Sequence, residues 1–378
     1  MNNQFYRPSI VKVDLDAILH NYRLFSDMHK GKTTIAVIKA NGYGLGAVPI
    51  AKHLGAHGAK FFAVATLDEA FELRQSGIEE KILVLGVVKP EFIKQASESN
   101  ISLTVPSLDW LKEASALATG SKVNLHVKLD TGMNRIGIHD IHEYKEVVRM
   151  ILANDTFNFE GVFTHFSVAD AEDDHTDDAY LDFETKVNSS PKPEYIHCQN
   201  SAASIRFDKS FCNAIRLGIS LYGYYPSPFV KSQYPLDLKP SMQLTSEVCH
   251  VKTIQNGDAV SYGRTYVAKD THFVSTVPLG YADGIPRKLQ GYKVTVGNQT
   301  AEIIGRVCMD QLMLKTDAPV QMGDRVIIID NKDNDQSIDV VADHLETINY
   351  EVLTSLGRRL PREYHQNNDI TIKNDLLQ

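Results

Sequence analysis

Eight short, nearly continuous apolar runs, separated by amphipathic stretches, constrain the fold of this chain more than any other feature. They are Ile35–Asn41, Phe61–Thr66, Ile82–Gly86, Ser102–Val105, Val123–Asp130, Phe159–His165, Tyr195–Asn200 and Ala214–Gly223. Runs apolar on both faces are what parallel strands buried on both sides require. Helical patterns such as Leu67–Gln75, Ser107–Ala118 and His139–Leu152 lie between them. Eight βα-type units in about 220 residues fit a (β/α)8 barrel of the TIM type better than an open sheet. A doubly wound sheet stays open as an alternative at this point, because a single sequence carries no strand order.

The pattern changes at Tyr225–Pro240, where Pro226, Pro228, Pro235 and Pro240 crowd together and read as a linker. Beyond it, runs such as Glu247–Ile254, Phe273–Val277, Tyr292–Val296 and Arg325–Ile329 cluster β-formers. Turn signals at Asn256-Gly257, Gly297-Asn298 and Asn331–Gln336 separate them. One late helix is expected over Asp339–Ser355. The chain therefore divides into a barrel over residues 1–235 and a mainly β domain over residues 236–378. No internal repeat of fixed period is present.

Charge and composition exclude several partners. Lys and Arg number 39 against 47 Asp and Glu, a formal charge of −8, with no basic block for nucleic acid. No apolar run approaches the ~20 residues of a membrane helix, and Met1–Pro8 lacks the apolar segment of a secretory signal. The cysteines, Cys198, Cys212, Cys249 and Cys308, form no CxxC pair. The expectation is a cytoplasmic protein without membrane or nucleic-acid partners. No metal is expected either. His53 and His57, four apart on a helical stretch, lack a third ligand and read as a solvated helix face, as do His139 and His142. The acidic run Glu172–Asp178 lacks the Gly and Glu of a calcium loop and reads as charge at a helix start.

The sharpest chemical signal is Ala36-Val-Ile-Lys39-Ala-Asn-Gly-Tyr43-Gly-Leu-Gly46. A lysine ending an apolar strand loses hydration, which favours the neutral, nucleophilic amine. Its spacing is neither a dinucleotide nor a Walker fingerprint. On this segment alone, a lysine that snorkels at a strand end is an equal reading. Other polar residues, Lys128, His165, Asn200 and Arg216, also fall at or near the ends of four strand candidates. In a barrel those ends converge on one face. Polar groups there are costly unless paired or used.

The whole segment closely resembles the pyridoxal 5′-phosphate attachment site of alanine racemases. Further motifs occur in the same order: Lys128-Leu-Asp-Thr-Gly-Met-Asn-Arg135-Ile-Gly, Thr164-His165-Phe166, His197-Cys-Gln-Asn200-Ser201 and Ala214-Ile-Arg216-Leu-Gly218-Ile219. Ser261-Tyr262-Gly-Arg264-Thr-Tyr, Gly280-Tyr281-Ala-Asp-Gly284 and Gly305-Arg306-Val-Cys-Met309-Asp310 complete the set, which covers nearly the full chain.

The resemblance implies that Lys39 carries the cofactor and acts on one face of the substrate, with Tyr262 of the partner subunit on the other. Arg216 would donate to the pyridine nitrogen; being always charged, it would disfavour protonation there and weaken the ring as an electron sink. His165 would tune Tyr262, and Asn200 would join the cofactor site. Phosphate would fall to Tyr43, Ser201, Tyr350 and the backbone at Gly218 and Ile219, where Ser201 opens a helical stretch. Arg135 and the Met309 N–H would meet the substrate. Lys128, near Arg135, would be carbamylated, with Asp310 in support. Asp170, Tyr281, Arg287 and Arg306 would line the entrance.

The function so implied is interconversion of L- and D-alanine in a homodimer with shared sites, supplying D-alanine for peptidoglycan. A racemase of serine or basic amino acids would use the same machinery. A barrel decarboxylase would place an acidic residue where Arg216 stands. A non-catalytic carrier of the cofactor would lack the roughly 140 residues after Pro240.

Overall fold

The structure, a computed structural model, describes residues 5–118, 120–173 and 175–377. The chain forms two compact units. One comprises Ile18–Gly42 and Ala47–Leu238; the other takes the described residues up to Ala17, Tyr43–Gly46 and the chain from Lys239 onward.

All eight expected strands form, and they close into a barrel. Counting from β1 (Ile10–Asp14), which belongs to the other unit, the barrel strands are β2 (Thr33–Val37), β3 (Phe61–Val64), β4 (Lys81–Val84) and β5 (Ile101–Val105). They continue with β6 (Val123–Lys128), β7 (Phe157–Phe163), β8 (Tyr195–His197) and β9 (Ala214–Leu217). β2 closes on β9 in parallel, with Ile35 opposite Arg216. The strands are apolar because helices cover their outer faces and side chains fill the interior. Ile35, Phe62, Leu83, Leu103 and Leu125 have no accessible surface.

The helices start where the sequence supplies caps. Thr66 opens Leu67–Gln75, with Thr66 and Glu69 in a reciprocal capping box, and Ser107 opens Leu108–Leu117. Asp140 accepts from the N–H groups of His142 and Glu143 to start Ile141–Leu152. In the region read as a linker, Ser227 and Pro228 start a short helix, Pro228–Gln233. A cap followed by proline at the first helical position is a helix start, and it outweighs proline crowding. Asp174 of the acidic run lies outside the described residues; Asp177 and Asp178 sit in the first turn of His175–Asn188.

Two strands end earlier than their apolar runs. After Val37 the chain turns left-handed through Ala40 (φ 51°), Asn41 (φ 53°), Gly42 (φ 62°) and Tyr43 (φ 53°). Asn and Gly tolerate this region, whereas Ala and Tyr cost ~1–2 kcal/mol each there. After Leu217 the run breaks at Gly218 into a single 3-10 turn, Ile219–Tyr222.

The second unit carries a ten-stranded sheet and a separate hairpin. Its strands after β1 are β10 (Met242–Glu247), β11 (His250–Ile254), β12 (Ala259–Val260), β13 (Tyr266–Val267), β14 (His272–Val277) and β15 (Lys293–Val296). β16 (Gln299–Ile304), β17 (Leu312–Thr316), β18 (Arg325–Ile329), β19 (Arg362–Gln366) and β20 (Asp369–Lys373) follow. The sheet order is β11-β14-β17-β16-β15-β18-β10-β1-β19-β20, with β12 and β13 forming the hairpin. The late helix is two: Ile338–Leu345 ends at left-handed Glu346 (φ 57°), and Asn349–Thr354 follows.

Tyr43–Gly46 packs within this second unit. Arg362 donates from Nε (3.1 Å) and Nη2 (2.8 Å) to the Gly44 carbonyl, and the Tyr364 hydroxyl donates to Leu45 O at 3.0 Å. A Cβ on Gly44, whose φ is +82°, would lie 2.5 Å from the Leu353 carbonyl oxygen. Gly44→Ala is therefore expected to cost ~2–3 kcal/mol, from left-handed backbone plus a backbone clash. Gly31→Ala, at φ +88° with nothing within 4 Å, should cost only ~1 kcal/mol. Urea midpoints of the two variants check this; equal shifts would contradict it.

Candidate active site

The left-handed turn after β2 sets the position of Lys39. A single carboxylate holds that turn: Glu69 accepts from Ala40 N at 2.6 Å through Oε1, and from Ala65 N (2.7 Å) and Thr66 N (3.2 Å) through Oε2. The Lys39 amine is lowered from its usual range, chiefly by burial and then by the Arg135 charge, with Glu69 opposing and Arg216 adding. This is the direction expected for a strand-end lysine that serves as a nucleophile.

Arg216, on β9, is only 3% exposed. Its Nη1 donates to His197 Nδ1 (2.8 Å) and His197 O (3.0 Å). Its Nη2 donates to Thr164 O (2.7 Å), Cys198 O (3.2 Å) and His165 Nδ1 (3.3 Å). Its Nε takes no part in these bonds. Burial lowers its pKa to about 10, so it stays a cation near neutral pH. His165 is held well below its ordinary value by burial and then by Arg216, Arg135, Lys128 and Lys39. A neutral ring that accepts at Nδ1 carries its proton on Nε2.

Lys128, at the end of β6, is 3% exposed and donates to Leu129 O at 2.5 Å. Its pKa falls to about 8, through burial first; Asp130 opposes, while Arg216 and Arg135 add to the lowering. Asp130 already accepts from Gly132 N and Asn134 N. Lys39, Lys128, Arg135 and Arg216 thus crowd together with few carboxylates among them. Such a donor set calls for anions from outside the chain.

Asn200 Oδ1 accepts from Ala203 N at 2.9 Å, capping the helix Ser201–Arg206. Ser201 Oγ takes the N–H of Gly218 at 2.9 Å and of Ser220 at 3.4 Å, which ties the Gly218–Ile219 corner to that helix. Asp170 is exposed, and its carbonyl accepts from Ser227 Oγ at 2.5 Å.

In the second unit, Tyr43 and Tyr350 face each other with ring centroids 6.1 Å apart, and burial pushes the Tyr43 hydroxyl upward. Tyr262 is 69% exposed, not packed among β-strands. It sits between left-handed Ser261 (φ 66°) and Gly263 (φ 72°), and Ser261 Oγ donates to Arg306 O at 2.5 Å. The Gly280–Gly284 loop is joined to the Gly305–Asp310 loop by Tyr281 N→Cys308 O and Ala282 N→Met309 O, both 3.0 Å. Met309 and Tyr281 are exposed, as are Arg287 and Arg306. Asp310 accepts from Arg359 Nη1 at 2.9 Å.

Among the described residues no group of three or more His, Cys, Asp or Glu could hold a metal ion. One expectation fails in part: His53 is buried, at 4% exposed, whereas His57 is exposed as expected, with the two rings 4.6 Å apart and tilted by 48°.

Several residues that shape the site escape the sequence reading. Glu69 was legible in Thr66-x-x-Glu69, a capping-box signature. His126 and Glu160 stand in the middle of strands β6 and β7, where a polar residue in a buried run is the signal. Asp283, fully buried, accepts both Nη groups of Arg7 and the Gly280 N–H; it stands inside the Gly280–Gly284 motif, but its partner Arg7 is far away in sequence.

Residues 13–226 match the alanine racemase N-terminal domain family, and residues 241–364 the C-terminal domain family. The alanine racemase of Staphylococcus epidermidis is 53% identical, over all of both chains. A crystal structure of alanine racemase from Bacillus anthracis with bound L-Ala-P superposes with a TM-score of 0.94 at 38% identity, covering 99% of each chain. A histidine racemase from Leuconostoc mesenteroides shares the fold at TM-score 0.90 and 29% identity, covering 97% of this chain and 100% of that one.

Proposed function

Because the chain belongs to the alanine racemase family, a family of isomerases, we propose that it interconverts L- and D-alanine on pyridoxal 5′-phosphate held by Lys39. The observation that carries this reading is the cluster of Lys39, Lys128, Arg135 and Arg216 with few carboxylates. It fits a phosphorylated, phenolic cofactor and a carboxylate substrate. When bound, that cofactor supplies the electron withdrawal that makes the alanine α-proton removable.

The chain's own residues do the rest. Lys39, lowered by burial and by its cationic neighbours, is the amine that holds the cofactor and, once released, moves a proton on one face. Tyr262 moves the proton on the other face. Its exposure fits delivery to the barrel of a second copy, so the proposed working form is a homodimer with shared sites. His165, with Nε2–H free to donate, would steady the Tyr262 oxygen as it ionises. Arg216 Nε would meet the pyridine nitrogen as a fixed cation, and a donor that never gives up its proton keeps that nitrogen unprotonated.

Tyr43, Ser201, Tyr350 and the Gly218–Ile219 backbone would take the phosphate, with Asn200 beside it. Arg135 and the Met309 N–H would orient the substrate carboxylate. Asp310 would support the Met309 loop through Arg359. Asp170, Tyr281, Arg287 and Arg306 would guard the entrance. No helix among the described residues is long and apolar enough to cross a membrane. The proposed setting is the cytoplasm, and the proposed role is supply of D-alanine to peptidoglycan.

Lys128 would be carbamylated: its neutral amine adds to CO2, releasing one proton and leaving a carbamate anion beside Arg135. Only the neutral amine reacts. With a pKa of about 8, the modified fraction should rise as pH climbs through that value and as bicarbonate is added. Intact-mass measurement at pH 7 and pH 9 checks this; an unmodified Lys128 at pH 9 with bicarbonate would contradict it.

The histidine racemase on the same fold keeps one second reading alive, a larger substrate. Loss of optical activity from L-alanine, L-serine and L-histidine decides between them. The proposed function requires kcat/KM for alanine to exceed the others by at least about tenfold, or ~1.4 kcal/mol. A preference for histidine or serine would overturn the substrate assignment.

A further inference from the structure

The interior of the barrel holds a polar chain that the chemistry above does not use. Glu160, on β7 and 1% exposed, accepts from Lys81 Nζ at 2.6 Å, from Ser102 Oγ, and from His126 Nε2 at 3.0 Å. His126 Nδ1 lies 3.0 Å from His197 Nε2, and His197 Nδ1 lies 2.8 Å from Arg216 Nη1. Both imidazoles have no accessible surface. The backbone makes room for this chain. The β6–β7 register shifts between Leu125 and His126, and a Cβ on Gly161 would fall 2.1 Å from His126 Nδ1. Phe163 stacks on His197 with the planes 1° apart and also lies under the Arg216 guanidinium.

The proton positions follow from one end. A guanidinium can only donate, so His197 Nδ1 must accept and its proton sits on Nε2. That proton points at His126 Nδ1, which must accept in turn. His126 then carries its proton on Nε2 and donates to the Glu160 carboxylate. Every bond from Arg216 to Glu160 thus has a fixed direction, and both rings are neutral. The ends agree. Burial lowers His197 well below its usual range, with Arg216 adding to the effect. Burial would raise Glu160, but the hydrogen bonds from His126, Lys81 and Ser102 and the Lys81 charge hold the carboxyl below its ordinary range.

Among the described residues, the direct acceptors of Arg216 are imidazole nitrogens and backbone carbonyls, with no carboxylate. A buried cation without an anion is costly. We propose that the one-way relay from Arg216 through His197 and His126 to Glu160 fixes the guanidinium orientation, making His197, His126 and Glu160 positioning residues for the reaction. Were the relay to run the other way, His197 Nδ1–H would oppose Arg216 Nη1–H. The functional part of this proposal rests on the alanine racemase reading, while the tautomers rest on geometry alone.

The test uses the holoprotein labelled with 15N-histidine, with His126→Gln and His197→Gln assigning the two signals. Both rings should be neutral, protonated at Nε2, and unchanged from pH 6 to pH 9. A proton on Nδ1, or an imidazolium at either position, would overturn the relay. In parallel, Glu160→Gln keeps the shape and removes the charge. It should lower kcat for alanine about tenfold per cofactor-loaded site, with KM moved less than twofold, because the effect reaches the reaction through Arg216. An unchanged kcat per loaded site, including a loss of activity that only follows loss of folded protein, would overturn the positioning role. Should Glu160→Gln fail to fold, the wild-type tautomers still decide the direction of the relay, and Lys81→Met, which strips the cation from Glu160 at the rim, should leave them in place. Wild-type protein inert towards alanine would instead defeat the proposed function and leave the tautomer result standing.

Discussion

Tyr262→Phe is expected to keep the cofactor and the fold but to slow alanine racemisation in both directions by about 10³-fold, within the range of a lost acid–base group. The ring is 69% exposed, so removing its hydroxyl leaves no cavity and no buried partner, and stability should move by less than ~0.5 kcal/mol. The chemical loss is large because the proposed mechanism assigns the proton on that face to this hydroxyl alone. A free tyrosine, with a pKa near ~10, is a poor base near neutral pH. Its ionised form needs a neighbour such as the Nε2–H of a neutral His165. Polarimetry from each enantiomer, with absorbance reporting bound cofactor, checks the result. Full activity in both directions would remove Tyr262 from the mechanism.

Lys39→Ala is the second large effect. Covalent capture of pyridoxal phosphate by borohydride should vanish, and racemisation should fall by at least about 10⁴-fold, because in the proposed mechanism the residue both holds the cofactor and moves the proton. The fold should not suffer. Lys39 is lowered by burial and by Arg135 and Arg216, so its removal relieves like-charge crowding. A urea midpoint equal to or above the wild type is therefore expected. A lower midpoint with capture intact at another lysine would mean that Lys39 is a structural residue.

The barrel was legible because its strands are apolar on both faces, and such runs survive errors of a few residues at their ends. The ends themselves were not legible. Ile35–Asn41 reads as one strand, but the chain turns left-handed at Ala40, held by the Glu69 carboxylate from another βα unit. A long-range hydrogen bond overrides local propensity there. The late strands β19 and β20 escaped for a different reason. β20 is exposed over Asp369–Thr371, so it shows no alternation to read. The same holds for the helix split at Glu346, a left-handed residue with no glycine to announce it.

At the candidate site, Lys39, Lys128, His165 and Arg216 were visible as polar residues closing apolar strands, and the structure brings them into one charge cluster. Tyr262 was singled out only through the resemblance of its motif, and the structure leaves it exposed. The fixed proton positions of His197 and His126 could not be read from sequence at all. They depend on which nitrogen faces which neighbour, and that is set by the barrel closing Arg216 against β8.

Circular dichroism of L-alanine incubated with the pyridoxal-phosphate-loaded protein tests the central claim most directly. The account predicts that the signal decays to zero, and that D-alanine decays to the same endpoint, because enantiomers are equal in free energy. A signal that persists while borohydride still fixes the cofactor to Lys39 would contradict it.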